Sequence, residues 1–397
     1  MRFKLVVLIL LSLAAILDAC YILDNASDSE TAVDDTAFSQ TPDATVAAVQ
    51  TTPMFEVPPT ATPAAVYLKV WIPADVAVRT EAGTQTIADQ LNEFTAQNPE
   101  VVLQVEQKRV LGEGGILSYL RTGRNVAPSV LPDLIAIPTD LLPSSANENL
   151  IFPIDDRLDP AFLDELFPPA IAMAQPDESV LGYPFALTWS PHLVYNSNAL
   201  TRTLPLTWDQ LIVDPEHSMV IAAGGEDGAM LALQFYLDAG GTVQNEQGQP
   251  ELQVEPLTVA LEALQRAGEN GVLVSQSSSL STINQSWQLF LGGGANIVRT
   301  RSDHFLGENT SGLPIEFTVT PGIDRPLTPV VGGWAWAIST SDPARQEAAF
   351  ALLADLVEPA NQGQWSQDSN ILPARRVAFA MWAVNDSYVG FLRQGLE

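Results

Sequence analysis

The 397-residue sequence predicts an α/β protein with two units, each built around a mostly parallel sheet. Three observations lead to this prediction. A chain of this length with 46% hydrophobic residues can bury more than one core. Strand-like and helix-like segments alternate from residue 66 onward, which is typical of a parallel sheet. The alternation then begins again near residue 187 with new segments, so we expect a second α/β unit.

The first unit begins with VYLKVWI at 66–72, whose alternating side chains predict a strand. Ile87, Leu91 and Phe94 share one face of a helix, and the Asn98-Pro99 pair ends it. The following segments predict, in order, a strand (VVLQVEQ), a short helix (ILSYLRT) and a strand buried on both faces (PDLIAIP).

The second unit repeats the pattern between about 187 and 313. Its segments predict a strand, two helices and another strand: SMVIAAGG, GAMLALQFYLDAGG, PLTVALEALQRAGENG and ANIVRT. Two further strands and two helical regions complete the chain: IEFTVTPG, PVVGGWAWAIS, QEAAFALLADLVEPA and AFAMWAVNDSYVGFLRQ. No segment recurs at the period of a solenoid repeat.

The amino-terminal segment is typical of an export signal. Arg2 and Lys4 precede an apolar run too short to cross a bilayer comfortably, and Leu17-Asp18-Ala19-Cys20 resembles a lipobox. We expect a signal peptide at 1–19 and a lipid on Cys20, which is the only cysteine and therefore cannot form an internal disulfide. The alternative is an uncleaved membrane anchor ending at this cysteine.

Residues 20–65 are rich in Ser, Thr, Ala, Pro and Asp and show no apolar periodicity. Such a composition buries too little apolar surface to offset the entropy of ordering. We therefore expect a disordered acidic tether that links the lipid to the folded body.

The charge balance excludes one class of partner. The chain has 18 basic and 47 acidic side chains, a formal net charge of −29. A surface of this charge repels phosphate backbones, so we expect no nucleic acid partner.

Motifs for catalysis and for metal or cofactor binding are absent from the sequence. It contains no G-x-S-x-G, P-loop or H-E-x-x-H motif. His192, His217 and His304 lie far apart, without ligands at metal-site spacing. The glycines at 292–294 follow a helical segment, so they indicate a helix end rather than a dinucleotide loop. These absences favour a binding protein without cofactor or metal.

The tryptophans indicate where a ligand binds. Trp71 ends the first strand, Trp189 follows GYPFALT, and Trp334 follows two glycines. The carboxyl ends of strands in open α/β sheets bind ligands, and an indole packs well on the apolar face of a sugar ring. Core packing and ligand contact both remain open for these three tryptophans. Trp287 and Trp382 lie on predicted helices, where core packing is favoured.

The order of several short segments resembles a known family. They run from 66 to 376: VYLKVWIPAD, LNEFTAQNPEVVLQV, LPDLIAIPTDLL, LIFPID, GYPFALTWSPHLVYN, LTWDQL, FLGGGANIV, VTPGIDRPLTPVVGGWAWAIS, EAAFALLADLV and ILPARR. This order is similar to that of the extracellular solute-binding proteins of family 1, the receptors of sugar-importing ABC transporters.

The resemblance implies a two-lobe periplasmic-binding-protein-like fold of type II with a ligand cleft between the lobes. By analogy, lobe I holds 66–186 and 314–340, and lobe II holds 187–313 and the helices of 341–397. The ligand contacts that it implies are Trp71, Asp75, Asp140, Trp189, Arg299, Arg301 and Trp334. The glycines before Trp334 would let the backbone approach the ligand closely.

The implied function is capture of a carbohydrate and its delivery to the permease of an ABC importer by a monomeric receptor. The segment VRTRSDHF departs from the family pattern, and its Arg299 and Arg301 favour an acidic or phosphorylated solute. Two alternatives stay open. One is a surface glycan hydrolase with Asp75 and Asp140 as its acid pair, and the other is a sensor or adhesion module that uses the same cleft.

Overall fold

Two separate sheets organise the chain. The computed structural model describes residues 65–397 except 159, 177–178, 189–191, 201–202, 205–206, 309 and 383–386. The predicted signal peptide at 1–19, Cys20 and all of the predicted tether before Ala65 lie outside these residues. The described residues form ten strands: β1 (Val66–Ile72), β2 (Val101–Gln107), β3 (Leu134–Pro138), β4 (Tyr183–Thr188), β5 (His192–Asn196), β6 (Met219–Val220), β7 (Ile297–Thr300), β8 (Ile315–Thr318), β9 (Gly332–Ile338) and β10 (Leu372–Pro373).

Helices surround both sheets. They are α1 (Ala74–Ala77), α2 (Glu81–Gln97), α3 (Ile116–Gly123), α4 (Leu142–Asn147), α5 (Pro160–Asp164), α6 (Pro168–Ala174), α7 (Trp208–Val213), α8 (Glu226–Asp238), α9 (Val254–Glu269), α10 (Ile283–Leu291), α11 (Ser302–Phe305), α12 (Pro343–Leu356), α13 (Pro359–Asp368), α14 (Arg376–Ala380) and α15 (Ser387–Leu396). Short 3-10 turns lie at Pro128–Val130, Thr139–Leu141, Asp155–Arg157 and Ser275–Ser279. The predicted α/β fold class is confirmed, but the sheets are mixed rather than mostly parallel, since only three of the eight described strand pairs are parallel.

The larger sheet has six strands in the order β10-β4-β9-β3-β1-β2. Strands β1, β2 and β3 run parallel, whereas β9 runs antiparallel to both β3 and β4. Strand β3 is buried on both faces, as its unbroken apolar sequence predicts. Helix α2 packs beside this sheet with Ile87 and Phe94 buried, and the Thr80 side chain caps it by accepting from the Gly83 amide.

The smaller sheet has four strands in the order β6-β7-β5-β8. Its own hydrophobic cluster includes Trp208, Leu231 and Phe235, contributed by helices α7 and α8. Helix α10 begins with a capping box formed by Thr282 and Gln285. It ends at Leu291, and Gly293 follows in the left-handed region with φ of 75°. The predicted helix end at 292–294 is therefore confirmed.

The division of the chain between the sheets differs from the predicted lobe boundaries. Residues from 314 were expected to return to lobe I, but β8 pairs with β5 in the smaller sheet. Gly322 forms a bridge with Thr207, so the chain is still on the second unit there. Residues 341–397 were expected in lobe II. Helix α12 instead packs on β1, and β10 pairs with β4, whereas Tyr388 and Phe391 of α15 do contact Phe317 of the smaller sheet. Sequence periodicity locates strands but does not show which strands pair, and this is why these boundaries differ.

The segment from Ala65 to Glu397 forms one compact unit that contains both sheets. A single hydrophobic cluster runs through it, with Val194 and Val298 of the smaller sheet and Tyr183 and Trp336 of the larger one. Among the described residues, no helix combines the length and the apolar character needed to cross a membrane.

Candidate ligand-binding cleft

One edge of the larger sheet collects three of the seven predicted contacts. Because β1, β3 and β4 run in one direction and β9 in the other, the carboxyl ends of the first three lie beside the amino end of β9. Asp75 follows β1, Asp140 follows β3, and Trp334 lies near the start of β9, opposite Pro138 and Ala186. We call this the first edge.

The smaller sheet has a corresponding edge. Strands β6, β7 and β8 end there, and β5 begins there, because β5 runs antiparallel to β7 and β8. The chain passes from Thr188 at the first edge to His192 at this second edge through only residues 189–191. It returns from Thr318 to Gly332 between the same two edges. The two edges therefore bound the candidate cleft, and Trp189 lies in the first crossing, outside the described residues.

Trp334 and Trp336 have different environments although both belong to β9. Trp336 is buried and stacks on Phe185, with ring centroids 4.8 Å apart and an interplanar angle of 23°. Trp334 is half-buried and packs against the edge of the same cluster. Trp334 therefore keeps an accessible surface at the first edge, whereas Trp336 belongs to the core.

The glycines before Trp334 are required by a neighbouring strand. A Cβ atom at Gly333 would lie 2.5 Å from the Ala186 carbonyl oxygen, and one at Gly332 would lie 3.0 Å from the Thr188 hydroxyl. These glycines therefore let β4 and β9 approach each other closely, which explains their presence without a ligand.

Trp71 lies on the other face of the larger sheet. It is 3% exposed and belongs to a cluster with Ile116, Ile135 and Ala335, whereas Trp334 packs on the opposite side. Its indole nitrogen is buried and has no hydrogen-bond partner among the described residues. Trp71 and Trp334 therefore do not form two walls of one ligand site in this conformation.

Asp75 and Asp140 are exposed at the first edge. Neither carboxylate forms an ion pair within the described part of the chain. Their oxygens are therefore accessible to the hydroxyl groups of a solute.

Arg299 is a structural residue in this conformation. Its side chain is 0% exposed and forms an ion pair with Asp227 at the start of helix α8. Its guanidinium also donates to the Asp227 carbonyl oxygen at 2.6 Å and to the Gln234 side chain at 2.7 Å. Burial raises the pKa of the Asp227 carboxyl, and the adjacent guanidinium opposes that shift. No surface of Arg299 is available to a solute here, contrary to the expectation that it contacts one.

Arg301 lies at the second edge in a cluster with Asp303 and Arg79. Its side chain is 37% exposed, and its Nε donates to Asp303 Oδ1 at 3.1 Å. Arg79, which follows α1 in the larger-sheet part, donates to the same carboxylate at 3.3 Å and to the carbonyl oxygens of Asp303 and Ser369. Burial alone would raise the pKa of Asp303, but Arg301 and Arg79 hold it below its usual range. The Arg79–Asp303 pair therefore connects the two sheets beside the cleft.

The comparisons with known proteins agree with this architecture. A family model described as bacterial extracellular solute-binding protein matches residues 89–387. The chain belongs to this family. The family resemblance seen in the sequence is thus confirmed, and binding of a solute outside the cell is the family's role. No curated protein matches the sequence.

Solved structures share the two-lobe fold of this solute-binding protein. The GacH receptor of Streptomyces glaucescens, described unliganded and with acarbose, has a TM-score of 0.63 at 16% identity, with 84% of this chain and 86% of that chain covered. The sugar-binding protein MalE of Xanthomonas citri has a TM-score of 0.64 at 17% identity, covering 84% and 85%. The cyclic α-maltosyl-1,6-maltose binding protein of Arthrobacter globiformis has a TM-score of 0.61 at 17% identity, covering 84% and 85%. The predicted two-lobe fold is confirmed.

Several residues of the solute-binding protein's cleft were not identified from sequence. Arg79 pairs with Asp303 across 224 positions, and Asp227 pairs with Arg299 across 72 positions. For Arg79 the available signal is the rarity of basic residues, since only 18 of the 397 residues are basic. An arginine within a few residues of a strand end therefore merits attention.

A separate groove of about 380 Å³ lies outside the cleft of this solute-binding protein. It is lined by Tyr67, Lys69, Gln104, Ser129 and Arg345. These residues include the start of β1, whereas the first edge lies at the end of β1. The described residues contain no group of three or more side chains arranged to hold a metal ion.

Proposed function

We propose that this solute-binding protein is the receptor of an ABC importer and captures a carbohydrate between its two lobes. The observation that carries the proposal is the first edge, where the accessible indole of Trp334 lies with the exposed carboxylates of Asp75 and Asp140. An indole packs on the C–H face of a pyranose, and carboxylates accept hydrogen bonds from its hydroxyls. The sugars named for the similar solved structures support this solute class.

Lobe closure is the proposed mechanism, and it needs no covalent chemistry. A solute that contacts both edges stabilises the closed arrangement by the difference between its affinities for the closed and open forms. The half-exposed guanidinium of Arg301 is the proposed contact from the second edge. Trp189 is proposed to contribute from the crossing segment, and the buried Trp71 supports the first edge from behind.

The proposed cellular context is export and anchoring through a lipid on Cys20, with the body at the outer face of the membrane. The sequence pattern around Cys20 and the family's extracellular role support it. We further propose that the receptor is a monomer, acts without a cofactor and hands its solute to the permease subunits.

A thermal-shift screen tests the proposal. The purified protein is heated with monosaccharides, oligosaccharides, sugar acids, sugar phosphates, polyols and amino acids. Binding adds RT ln(1 + [L]/Kd) to the free energy of unfolding, about 2.7 kcal/mol at one hundred times Kd. A rise in Tm with a saccharide class is expected. A folded protein whose Tm responds to none of these solutes would contradict the proposal.

Two variants then locate the site. Trp334→Ala should weaken binding of the solute found in the screen by at least tenfold, because it removes the stacking surface. Tyr67→Ala is the matched control, since Tyr67 is 58% exposed at the opposite end of β1 and should leave affinity unchanged. Unchanged affinity in Trp334→Ala would overturn the assigned site. Release of reducing ends from a bound glycan by the wild-type protein would instead favour the hydrolase alternative.

A further inference from the structure

A lysine ammonium lies between two aromatic rings at the far end of the first edge. The rings of Trp71 and Tyr119 meet nearly edge to face, with centroids 5.6 Å apart and an interplanar angle of 68°. Lys108 Nζ lies 5.1 Å from the Trp71 centroid and 5.2 Å from the Tyr119 centroid. A cation at these distances is attracted by the electron-rich face of each ring.

A carboxylate completes the surroundings of this ammonium group. Glu106 Oε2 lies 3.0 Å from Lys108 Nζ. The backbone holds the lysine in place, because its amide donates to the Ile72 carbonyl oxygen at 3.2 Å, at the end of β1. Two aromatic rings and one carboxylate around a single position are the features that bind an alkylammonium ion.

The site opens to solvent through flexible or exposed side chains. Tyr119 is 41% exposed, and the side chains of Glu106 and Lys108 are 48% and 26% exposed. Trp71 is buried beneath them. A lysine has a flexible four-carbon stem, so Lys108 can leave the rings without movement of the backbone. The position that it vacates would remain lined by both rings and by Glu106.

We propose that Trp71, Tyr119 and Glu106 form a binding site for an ammonium group of the solute. In this proposal the Lys108 ammonium occupies the site when no solute is bound and competes with the solute for it. This inference rests on the proposed function, because it assumes that the solute lies along the first edge. It specifies the solute class as a saccharide that carries a protonated amino group. The net charge of −29 also raises the local concentration of cations.

The role of Lys108 as a competitor gives a directional prediction. A tethered ammonium competes with a free one at a high effective concentration. Removal of the tethered group in Lys108→Ala should therefore strengthen binding of a free ammonium ion by at least tenfold. Arg109→Ala is the matched control, since Arg109 is the adjacent exposed cation and has no contact with the rings.

The first experiment uses tetramethylammonium chloride as the probe and the ¹⁵N-labelled full chain. The indole N–H signal of Trp71, assigned with Trp71→Phe, is followed during titration against sodium chloride at equal ionic strength. Lys108→Ala should show a saturable shift with tetramethylammonium that Glu106→Gln in the same background weakens. The wild type and Arg109→Ala should respond at least tenfold more weakly. No saturable shift in folded Lys108→Ala, or an equal response to sodium, would overturn the proposal. Lys108→Ser serves as the second variant if the first does not fold.

The second experiment compares glucosamine with glucose at slightly acidic pH by calorimetry. The protonated amine should bind about fivefold more tightly, and Tyr119→Ala should abolish this advantage. If neutral sugars bind and the amine adds nothing, the ammonium site fails and the proposed function stands. If tetramethylammonium saturates the site while no saccharide binds, the ammonium site stands and the proposed function fails.

Discussion

The two edges of the cleft use charged residues in opposite ways. At the first edge, Asp75 and Asp140 are exposed and form no ion pair with any described residue. At the second edge, Arg299 is paired with Asp227, and Arg301 shares Asp303 with Arg79. The first edge therefore offers its polar groups to a solute, whereas the second edge uses most of its own to hold the fold together.

The difference shows that a charge near a strand end is not by itself a ligand contact. Arg299 and Arg301 are two residues apart, yet one is fully buried and the other 37% exposed. Residues two positions apart would share a face within one strand, but β7 ends at Thr300, so Arg301 has left the strand and meets different partners. The position of the counter-charge separates a structural arginine from a candidate contact.

The largest expected effect on stability comes from a substitution at the second edge. Arg299→Ala should lower the free energy of unfolding by about 3–5 kcal/mol, because it leaves the buried Asp227 carboxylate without its partner. Urea denaturation measures this loss. Arg266→Ala is the control, since its pair with Asp209 is exposed on both sides and should be worth about 0–1 kcal/mol. Similar losses in both variants would show that burial does not distinguish the second edge.

A smaller effect is expected where the two sheets are joined. Arg79→Ala should lower the free energy of unfolding by about 1–2 kcal/mol, because it removes hydrogen bonds to the Asp303 carboxylate and to the Ser369 carbonyl oxygen. It should also speed amide hydrogen exchange in α11. Arg157→Ala, which breaks an exposed pair with Glu347, is the control and should leave α11 unchanged. Unaltered exchange in α11 in Arg79→Ala would contradict the connection.

Acid should weaken the second edge through protonation of Asp303. The folded pKa of Asp303 lies below its unfolded value because of Arg301 and Arg79, so its stabilisation is present above about pH 4 and is lost as the pH falls through the folded pKa. Urea unfolding between neutral and strongly acidic pH measures this. In Asp303→Asn the corresponding part of the acid dependence should disappear. An identical acid profile in that variant would refute the assignment.

The smallest effect on stability is expected at the first edge. Asp75→Asn and Asp140→Asn should change the free energy of unfolding by no more than about 0.5 kcal/mol, because both side chains are exposed. Under the proposed function they should weaken solute binding by severalfold, since an amide accepts fewer hydrogen bonds than a carboxylate. If these two variants lost stability but kept their affinity for the solute, the two carboxylates would be structural, and the stated contrast between the edges would be wrong.

Local patterns in the sequence predicted the elements well. The alternation of VYLKVWI, the apolar spacing of Ile87, Leu91 and Phe94, and the glycines after Leu291 correspond to β1, α2 and the end of α10. Each depends on neighbours in the chain, so it can be recognised from a short window. The burial of Trp287 and Trp382 was also predicted.

Pairings between distant segments do not show in a short window of the sequence. Arg299 meets Asp227 only because α8 packs on β7, and Arg79 meets Asp303 across two sheets. The assignment of β8 to the smaller sheet depends likewise on its pairing with β5. The family resemblance nominated Asp75, Asp140 and Trp334, which lie at one edge, but it did not show that Trp71 faces the other side of the sheet.

The short crossing between β4 and β5 limits how far the cleft can open. Four Cα steps of about 3.8 Å separate Thr188 from His192, so these ends can never be more than about 15 Å apart. Any opening is then a rotation about this point, and each strand travels in proportion to its distance from it. Relative to the second edge, Trp334 on the adjacent β9 moves least, whereas Lys108 beyond β2 lies farther from the crossing and moves more. Both positions belong to the larger sheet, so a solute bound along the first edge keeps its contacts with both while the second edge rotates toward it.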